Sequence, residues 1–115
     1  MIAIAKTRFV RISPKKVRLV AQEIQGKRAL EAMQILEFSP RRSSKFVQAT
    51  LKQAIANAMS KESLSLDEED LVISSVRVDD GPRLRRYRPG AHGRMNPYMH
   101  KLSHITIELN VSQVE

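Results

Sequence analysis

The stretch between Asp80 and Glu108 contains no acidic residue, yet it holds six basic side chains and all three histidines of the chain. The basic residues are Arg83, Arg85, Arg86, Arg88, Arg94 and Lys101. Five of the six are arginine, whose planar guanidinium pairs with two phosphate oxygens and stacks on bases better than lysine does. Repulsion among these charges opposes compaction, and few apolar side chains lie among them. The segment is therefore predicted to take its shape from an anionic partner, for which a folded phosphate backbone is the best candidate.

A second basic block occupies the N-terminus, where six basic residues precede the first acid, Glu23. They are Lys6, Arg8, Arg11, Lys15, Lys16 and Arg18. Residues 23–80 are nearly balanced in charge and include an acidic run at 67–70. This distribution indicates a protein with one face toward an anion and one toward solvent. For a chain of 115 residues, a formal charge of +8 is typical of a polyanion binder.

The sequence offers no support for catalysis, a metal site or a cofactor. His100 and His104 are four residues apart, which on a strand separates them by about 13 Å, too far for one metal ion. Asp79 and Asp80 are adjacent, so on a strand they point to opposite faces. The absence of cysteine excludes disulfides and thiolate metal sites. No apolar run approaches the roughly 20 residues that span a bilayer, and we expect an intracellular protein without a membrane span.

Hydrophobic periodicity predicts three helices after an initial strand. Imperfect alternation predicts that strand over 2–12. Ser13-Pro14 is a helix start, in which the serine hydroxyl accepts a free N–H and proline has none to lose, and Gly26 ends this helix. A short helix follows up to Phe38. Ser39-Pro40 repeats the start signal for the longest helix, whose apolar stripe covers 47–58.

Two further strands are predicted over 71–78 and 105–111, after a polar loop at 60–70. The last strand alternates cleanly and is expected to be half buried. The basic segment joins the two strands and is too long for a tight turn. A functional loop, a disordered connection or an outward continuation of both strands as a ribbon of about 30 Å would each explain it.

The basic blocks have a solvated-surface explanation and a nucleic-acid explanation. Tyr87, Tyr98, glycines and prolines lie among the arginines, and they favour close approach to a nucleic acid. Low aromatic content argues against a platform for bare single strands, so folded RNA recognised by shape is favoured. The alternative is an architectural or regulatory DNA-binding protein that places Ser-Pro-Lys-Lys and the arginine ribbon in a groove.

Four motifs occur in order along the chain, namely SPKKVRLV at 13–20, AIANA at 54–58, VDDGP at 78–82 and SHIT at 103–106. Together they resemble the successive motifs of the bacterial-type ribosomal protein L twenty-two family, over essentially the whole chain. The resemblance implies an α+β fold, with a three-stranded antiparallel sheet packed on three helices and a long protruding β-hairpin. It implies one domain, 1–115, with a body at 1–80 and 103–115 and a basic hairpin at about 81–102. Because Pro97 has no N–H to donate, pairing of the returning hairpin arm is expected to weaken there.

The resemblance also implies a function without catalysis. The chain would be a structural constituent of the large ribosomal subunit, in a bacterium or an organelle of bacterial descent. It would bind large-subunit ribosomal RNA beside neighbouring ribosomal proteins, and its hairpin tip would line the peptide exit tunnel near the nascent polypeptide and bound macrolides. The residues expected to bind RNA are Lys6, Arg8, Arg11, Ser13, Lys15, Lys16, Arg18, Arg83, Arg85, Arg86, Arg88, Arg94, His100, Lys101, Ser103 and His104. The residues expected to form the tip are Leu84, Arg85, Arg86, Tyr87, Arg88, Pro89, Gly90, Ala91, His92, Gly93 and Arg94.

Overall fold

Three helices pack on one face of a three-stranded antiparallel sheet, which confirms the α+β fold. A computed structural model describes residues 3–60, 68–89, 93 and 95–111, with the backbone alone over 84–89 and 95–100. The sheet has the order β1-β3-β2. In chain order the elements are β1 (Ala3–Val10), α1 (Pro14–Ile24), α2 (Ala29–Phe38), α3 (Arg42–Met59), a 3-10 turn (Glu68–Asp70), β2 (Leu71–Pro89) and β3 (Met95–Val111).

The core lies between the sheet and the helices. Helix α1 packs mainly on β2, α3 packs on β1 and β3, and α2 packs against α3. The apolar stripe predicted over 47–58 is buried, as are the apolar residues of α1 and the alternate residues of β3. Each such side chain removed from water stabilises the fold by about 1.5–3 kcal/mol. The largest fully buried apolar residues are Val17, Val20, Ile24, Val47, Leu51, Leu71, Ile73, Ile105, Ile107 and Leu109.

Two bulges explain why buried and exposed residues do not alternate cleanly along β1 and β2. In β1, Ala3 and Ala5 are buried but so is Val10, because the pairing with β3 shifts between Thr7 and Val10. In β2, the pairing shifts between Ile73 and Ser75. The extra residue reverses which positions face the helices, so residues 71 and 73 are buried before the bulge and 76 and 78 after it.

Helix α1 begins at Pro14 as predicted, but its start is stabilised differently. The Ser13 side chain makes no capping hydrogen bond. The Ser13 carbonyl instead accepts hydrogen bonds from the N–H groups of Lys16 (3.1 Å) and Val17 (3.3 Å). Gly26 follows the helix with a φ of 80°, as expected for a residue that ends it, and its N–H donates to the Ile73 carbonyl.

Helix α3 begins at Arg42, two residues after the predicted start signal. Ser39 belongs to the end of α2, where its N–H donates to the Leu36 carbonyl. The Ser39 hydroxyl accepts a hydrogen bond from the Ser44 hydroxyl at 2.7 Å. Ser39 therefore ties the two helices together instead of capping the second one.

Strands β2 and β3 continue outward as a paired ribbon. Of the three explanations of the basic segment, this is the outward continuation of both strands. Strand β1 stops pairing where Val10 meets Ser103, whereas β2 and β3 pair as far as Pro89 opposite Met95. The pairing includes Tyr87 opposite Pro97, so the register continues through the proline. The molecule measures 67 × 25 × 17 Å along its principal axes. The predicted tip residues 90–92 and 94 lie outside the described part of the chain.

The base of the ribbon is tightly packed. A bulge between Asp80 and Arg83 shifts the pairing at Gly81 and Pro82. A Cβ atom on Gly81 would lie 3.0 Å from the Leu102 Cβ and 3.1 Å from the Leu102 carbonyl carbon, so only glycine fits without displacing β3. Beside it, Ser103 is fully buried, and its hydroxyl donates to the Ile12 carbonyl at 2.5 Å.

We predict that Ser103→Ala lowers the free energy of unfolding by about 1–3 kcal/mol, because it leaves the buried Ile12 carbonyl without its donor. Ser74→Ala is the matched control, since the Ser74 hydroxyl donates to the Glu108 carbonyl on an exposed surface. That variant should change stability by less than about 0.5 kcal/mol. Denaturant titration of both variants measures the difference, and equal losses would contradict this role of Ser103.

Candidate nucleic-acid interface

Four basic side chains line a cleft where the loop after β1, the start of α3 and the base of the ribbon meet. This cleft, which we call the Arg42 cleft, has a volume of about 430 Å³. It is lined by Arg11, Ile12, Ser13, Lys16, Arg42, Ser43 and Lys101. All four cations are exposed, and none of the described residues that line the cleft is a carboxylate. Its surface is therefore uniformly suited to a negatively charged ligand.

Both helices that border the Arg42 cleft carry cations where helices usually carry acids. Neither α1 nor α3 has an acidic residue in its first turn. Lys15 and Lys16 occupy the first turn of α1, and Arg42 and Lys45 occupy that of α3. A cation at a helix N-terminus opposes the helix dipole at a cost of about 0.3–1 kcal/mol. An anion in the cleft would offset this cost.

A second basic cleft lies on the other side of Lys101, at the root of the ribbon. This Arg18 cleft has a volume of about 260 Å³ and shares Ser13 and Lys101 with the first. Its further lining residues are Pro14, Lys15, Arg18, Asp80, Gly81, Arg83 and Leu102. Because the two clefts share a wall, they form one continuous cationic surface.

Arg18 is fixed within this surface by contacts to β2. Its Nη2 donates to the Val78 carbonyl at 2.9 Å and lies 3.6 Å from the Asp80 carboxylate. Both side chains of the ion pair are more than half exposed, so the pair itself contributes little to stability. The guanidinium has five N–H donors, and its other donors remain available to a ligand. Arg18 thus links the position of the ribbon to the cationic surface.

A third basic site lies on the sheet face that points away from the helices. This sheet-face pocket has a volume of about 250 Å³. Its lining residues are Lys6, Arg8, Phe9, Arg77, Asp79, His104 and Thr106. The Phe9 N–H donates to His104 Nδ1 at 3.1 Å, so this nitrogen is unprotonated when the bond is made. The pocket combines three cations with a carboxylate and an aromatic ring.

The structure distributes the residues predicted from sequence over these three sites. Lys6, Arg8 and His104 lie in the sheet-face pocket, and Ser103 lies in none of them, since its hydroxyl is buried and bonded within the fold. The Arg42 and Arg18 clefts gather Arg11, Ser13, Lys15, Lys16, Arg18, Arg83 and Lys101. The side chains of Arg85, Arg86, Arg88, Arg94 and His100, and those predicted for the tip, lie outside the described part of the chain.

The sequence did not single out Arg42, Arg77 and Phe9 as residues of these sites. Arg42 and Arg77 lie in the middle region of the chain, whose near-neutral total conceals single cations that the fold brings to the surface sites. The Arg41-Arg42 pair at the start of a helix was the available signal for the first. Phe9 was interpreted as part of an alternating strand, whereas its side chain is 60 % exposed.

Comparison with known proteins agrees with the four sequence motifs. The family described as "Ribosomal protein L22p/L17e" matches residues 5–110. The large ribosomal subunit protein uL22 of Pediococcus pentosaceus is 48 % identical over 96 % of this chain and 91 % of its own length. Those of Syntrophobacter fumaroxidans and Fusobacterium nucleatum are 45 % and 44 % identical, over 91 % and 98 % of this chain and 94 % and 100 % of their own lengths. None of these names describes an enzyme. The chain therefore belongs to the ribosomal protein L22p/L17e family of the large ribosomal subunit.

Proposed function

We propose that this chain is a structural protein that binds large-subunit ribosomal RNA through the Arg42 cleft, the Arg18 cleft and the sheet-face pocket. Its family places it in the large ribosomal subunit of the cytoplasmic ribosome, where RNA and other ribosomal proteins are its neighbours. The observation that carries the proposal is the Arg42 cleft, where four exposed cations, two of them from the first turns of α1 and α3, meet with no carboxylate among the described lining residues. Phosphate groups are the anions that such a cleft suits best.

The placement of the three sites supports contacts with more than one RNA segment. The Arg42 and Arg18 clefts lie where α1, α3 and the ribbon root meet, whereas the sheet-face pocket lies on the face of the sheet that α1 and α3 do not cover. A single straight duplex would not follow both surfaces of a body about 25 Å wide. The protein would therefore stabilise folded RNA at a point where separate segments converge, by neutralising phosphates of each.

The ribbon is proposed to reach into the peptide exit tunnel and to line it with residues 84–94. The body at 1–80 and 103–115 would hold the RNA, and the hairpin at about 81–102 would extend from it. Backbone pairing as far as Pro89 and Met95 and the length of 67 Å support an extended arm. In this proposal the nascent polypeptide and macrolides meet the tip.

Arg42→Gln tests the Arg42 cleft against a neighbouring arginine. Loss of one charge-assisted phosphate contact should weaken binding to protein-free large-subunit ribosomal RNA by about 1.5–3 kcal/mol. The slope of log affinity against log salt concentration should fall by about 0.7–0.9. Filter binding or fluorescence anisotropy at several salt concentrations measures both quantities.

The control for this test is Arg41→Gln, which removes the same charge one residue earlier, outside the residues that line the cleft. It should retain nearly the full affinity and salt slope. Equal losses in the two variants would mean that only overall charge matters. If duplex DNA competes as well as ribosomal RNA for the wild-type protein, the architectural DNA-binding alternative is favoured. That result would contradict the proposed function.

Replacing Arg85 and Arg86 together by Ala tests the tunnel placement. We expect large subunits to assemble, because the three sites on the body are unchanged, while macrolide sensitivity or nascent-chain stalling changes. The double variant Lys27→Ala with Lys52→Ala removes two charges outside the three sites and should alter neither property. A block in assembly with normal drug response would contradict the placement.

A further inference from the structure

Phe9 has a backbone conformation that the surrounding fold must enforce. Its φ is 60°, and among the described residues it is the only non-glycine residue with a positive φ. For a bulky L residue this region is disfavoured by contacts of its own Cβ atom. Phe9 is 60 % exposed, so burial of its ring offsets little of the strain energy of its backbone. Such outliers cluster at sites where the strained geometry serves a ligand.

The strain has an identifiable source in the bulge of β1. Thr7 pairs with Ile105 and Val10 with Ser103, so Arg8 and Phe9 both lie opposite the single residue His104. The Phe9 N–H is held by His104 Nδ1 at 3.1 Å. The two rings meet edge to face, with centroids 5.0 Å apart and planes at 89°. Backbone and ring are thus both fixed by one histidine.

The fixed ring faces a pocket whose charges suit a nucleotide better than a phosphate alone. Lys6, Arg8 and Arg77 supply the cations that a phosphate requires. Asp79 lines the same pocket, and a carboxylate there repels phosphate but accepts a hydrogen bond from a base N–H. The described lining of the Arg42 cleft, by contrast, includes no carboxylate and no aromatic ring.

We propose that the sheet-face pocket holds one unpaired base of folded RNA, stacked on the ring of Phe9, with its phosphate on the neighbouring cations. The proposal rests on the RNA-binding function proposed above and adds a recognition element to it. Base–aromatic stacking is independent of base identity, so Phe9 selects an extruded base and not a particular sequence. A single ring suffices for one base, in keeping with a chain that has only three Phe, two Tyr and no Trp.

The chain provides a matched control for Phe9 in Phe38. Phe38 is 83 % exposed, lies at the end of α2 next to Glu37, and lines none of the three basic sites. Because the wild-type chain has no tryptophan, Phe9→Trp and Phe38→Trp each introduce a single fluorescent reporter. Stacking on a base quenches tryptophan emission, whereas a nearby phosphate alone does not.

The experiment titrates both tryptophan variants with protein-free large-subunit ribosomal RNA and, separately, with a fully paired RNA duplex at low salt. We expect ribosomal RNA to quench Phe9→Trp and not Phe38→Trp, and the duplex to quench neither. In binding assays, Phe9→Leu should lose about 5- to 100-fold in affinity for ribosomal RNA, while Phe38→Leu stays within about twofold. Phe9→Tyr should bind as the wild type does.

Phe9→Gly separates stacking from a structural role. Glycine accepts a positive φ without strain, so the unfolding midpoint of this variant should equal or exceed that of the wild type, while its RNA affinity falls as in Phe9→Leu. A lowered midpoint with unchanged affinity would overturn the proposal. Unquenched Phe9→Trp and full-affinity Phe9→Leu would also overturn it, even if Arg42→Gln still weakens binding. Failure of the wild type to prefer ribosomal RNA over duplex RNA would instead refute the proposed function.

Discussion

Positive charge concentrated at two helix N-termini is the constraint on which this structure depends. The first turns of α1 and α3 contain Lys15, Lys16, Arg42 and Lys45 and no acid, so the charges oppose both helix dipoles and one another. Lys101 adds a further cation from the ribbon root. A buried apolar core keeps the helices folded despite this cost. An anion bound to this surface would offset the cost, as RNA phosphates would inside a ribonucleoprotein.

The hydrophobic core and the bulges decide where the functional groups lie. Burial of Ile105, Ile107 and Leu109 fixes β3, and with it the positions of Lys101 and His104 at the two sides of the body. The bulge in β1 places Phe9 beside His104, and a register shift of β2 at Gly81 and Pro82 marks the base of the ribbon. Buried Ser103 holds this junction through the Ile12 carbonyl. Residues that stabilise the fold thus also position the three basic sites.

Periodicity predicted the parts of the fold in which one face is buried, and failed where local hydrogen bonds or register shifts decide. The apolar stripe of α3 and the alternation of β3 carry their burial pattern in the sequence. The start of α3 does not, because the Ser39 hydroxyl bonds to Ser44 and leaves Arg42 as the first helical residue. A bulge depends on pairing between distant strands, so neither the exposure of Phe9 nor its contact with His104 could be predicted locally. The place of Arg42 in a basic cleft could not be predicted for a related reason, because the basic residues near it in space belong to other elements.

Chemical acetylation of the lysines, quantified by mass spectrometry with and without protein-free large-subunit ribosomal RNA, tests the central claim most directly. Lys15, Lys16 and Lys101 line the two clefts, whereas Lys27 and Lys52 lie outside all three basic sites. If the cationic surface between α1, α3 and the ribbon binds RNA, the first three lysines become protected while Lys27 and Lys52 react as before. Protection of Lys27 and Lys52 with continued reaction of Lys16 and Lys101 would contradict the account.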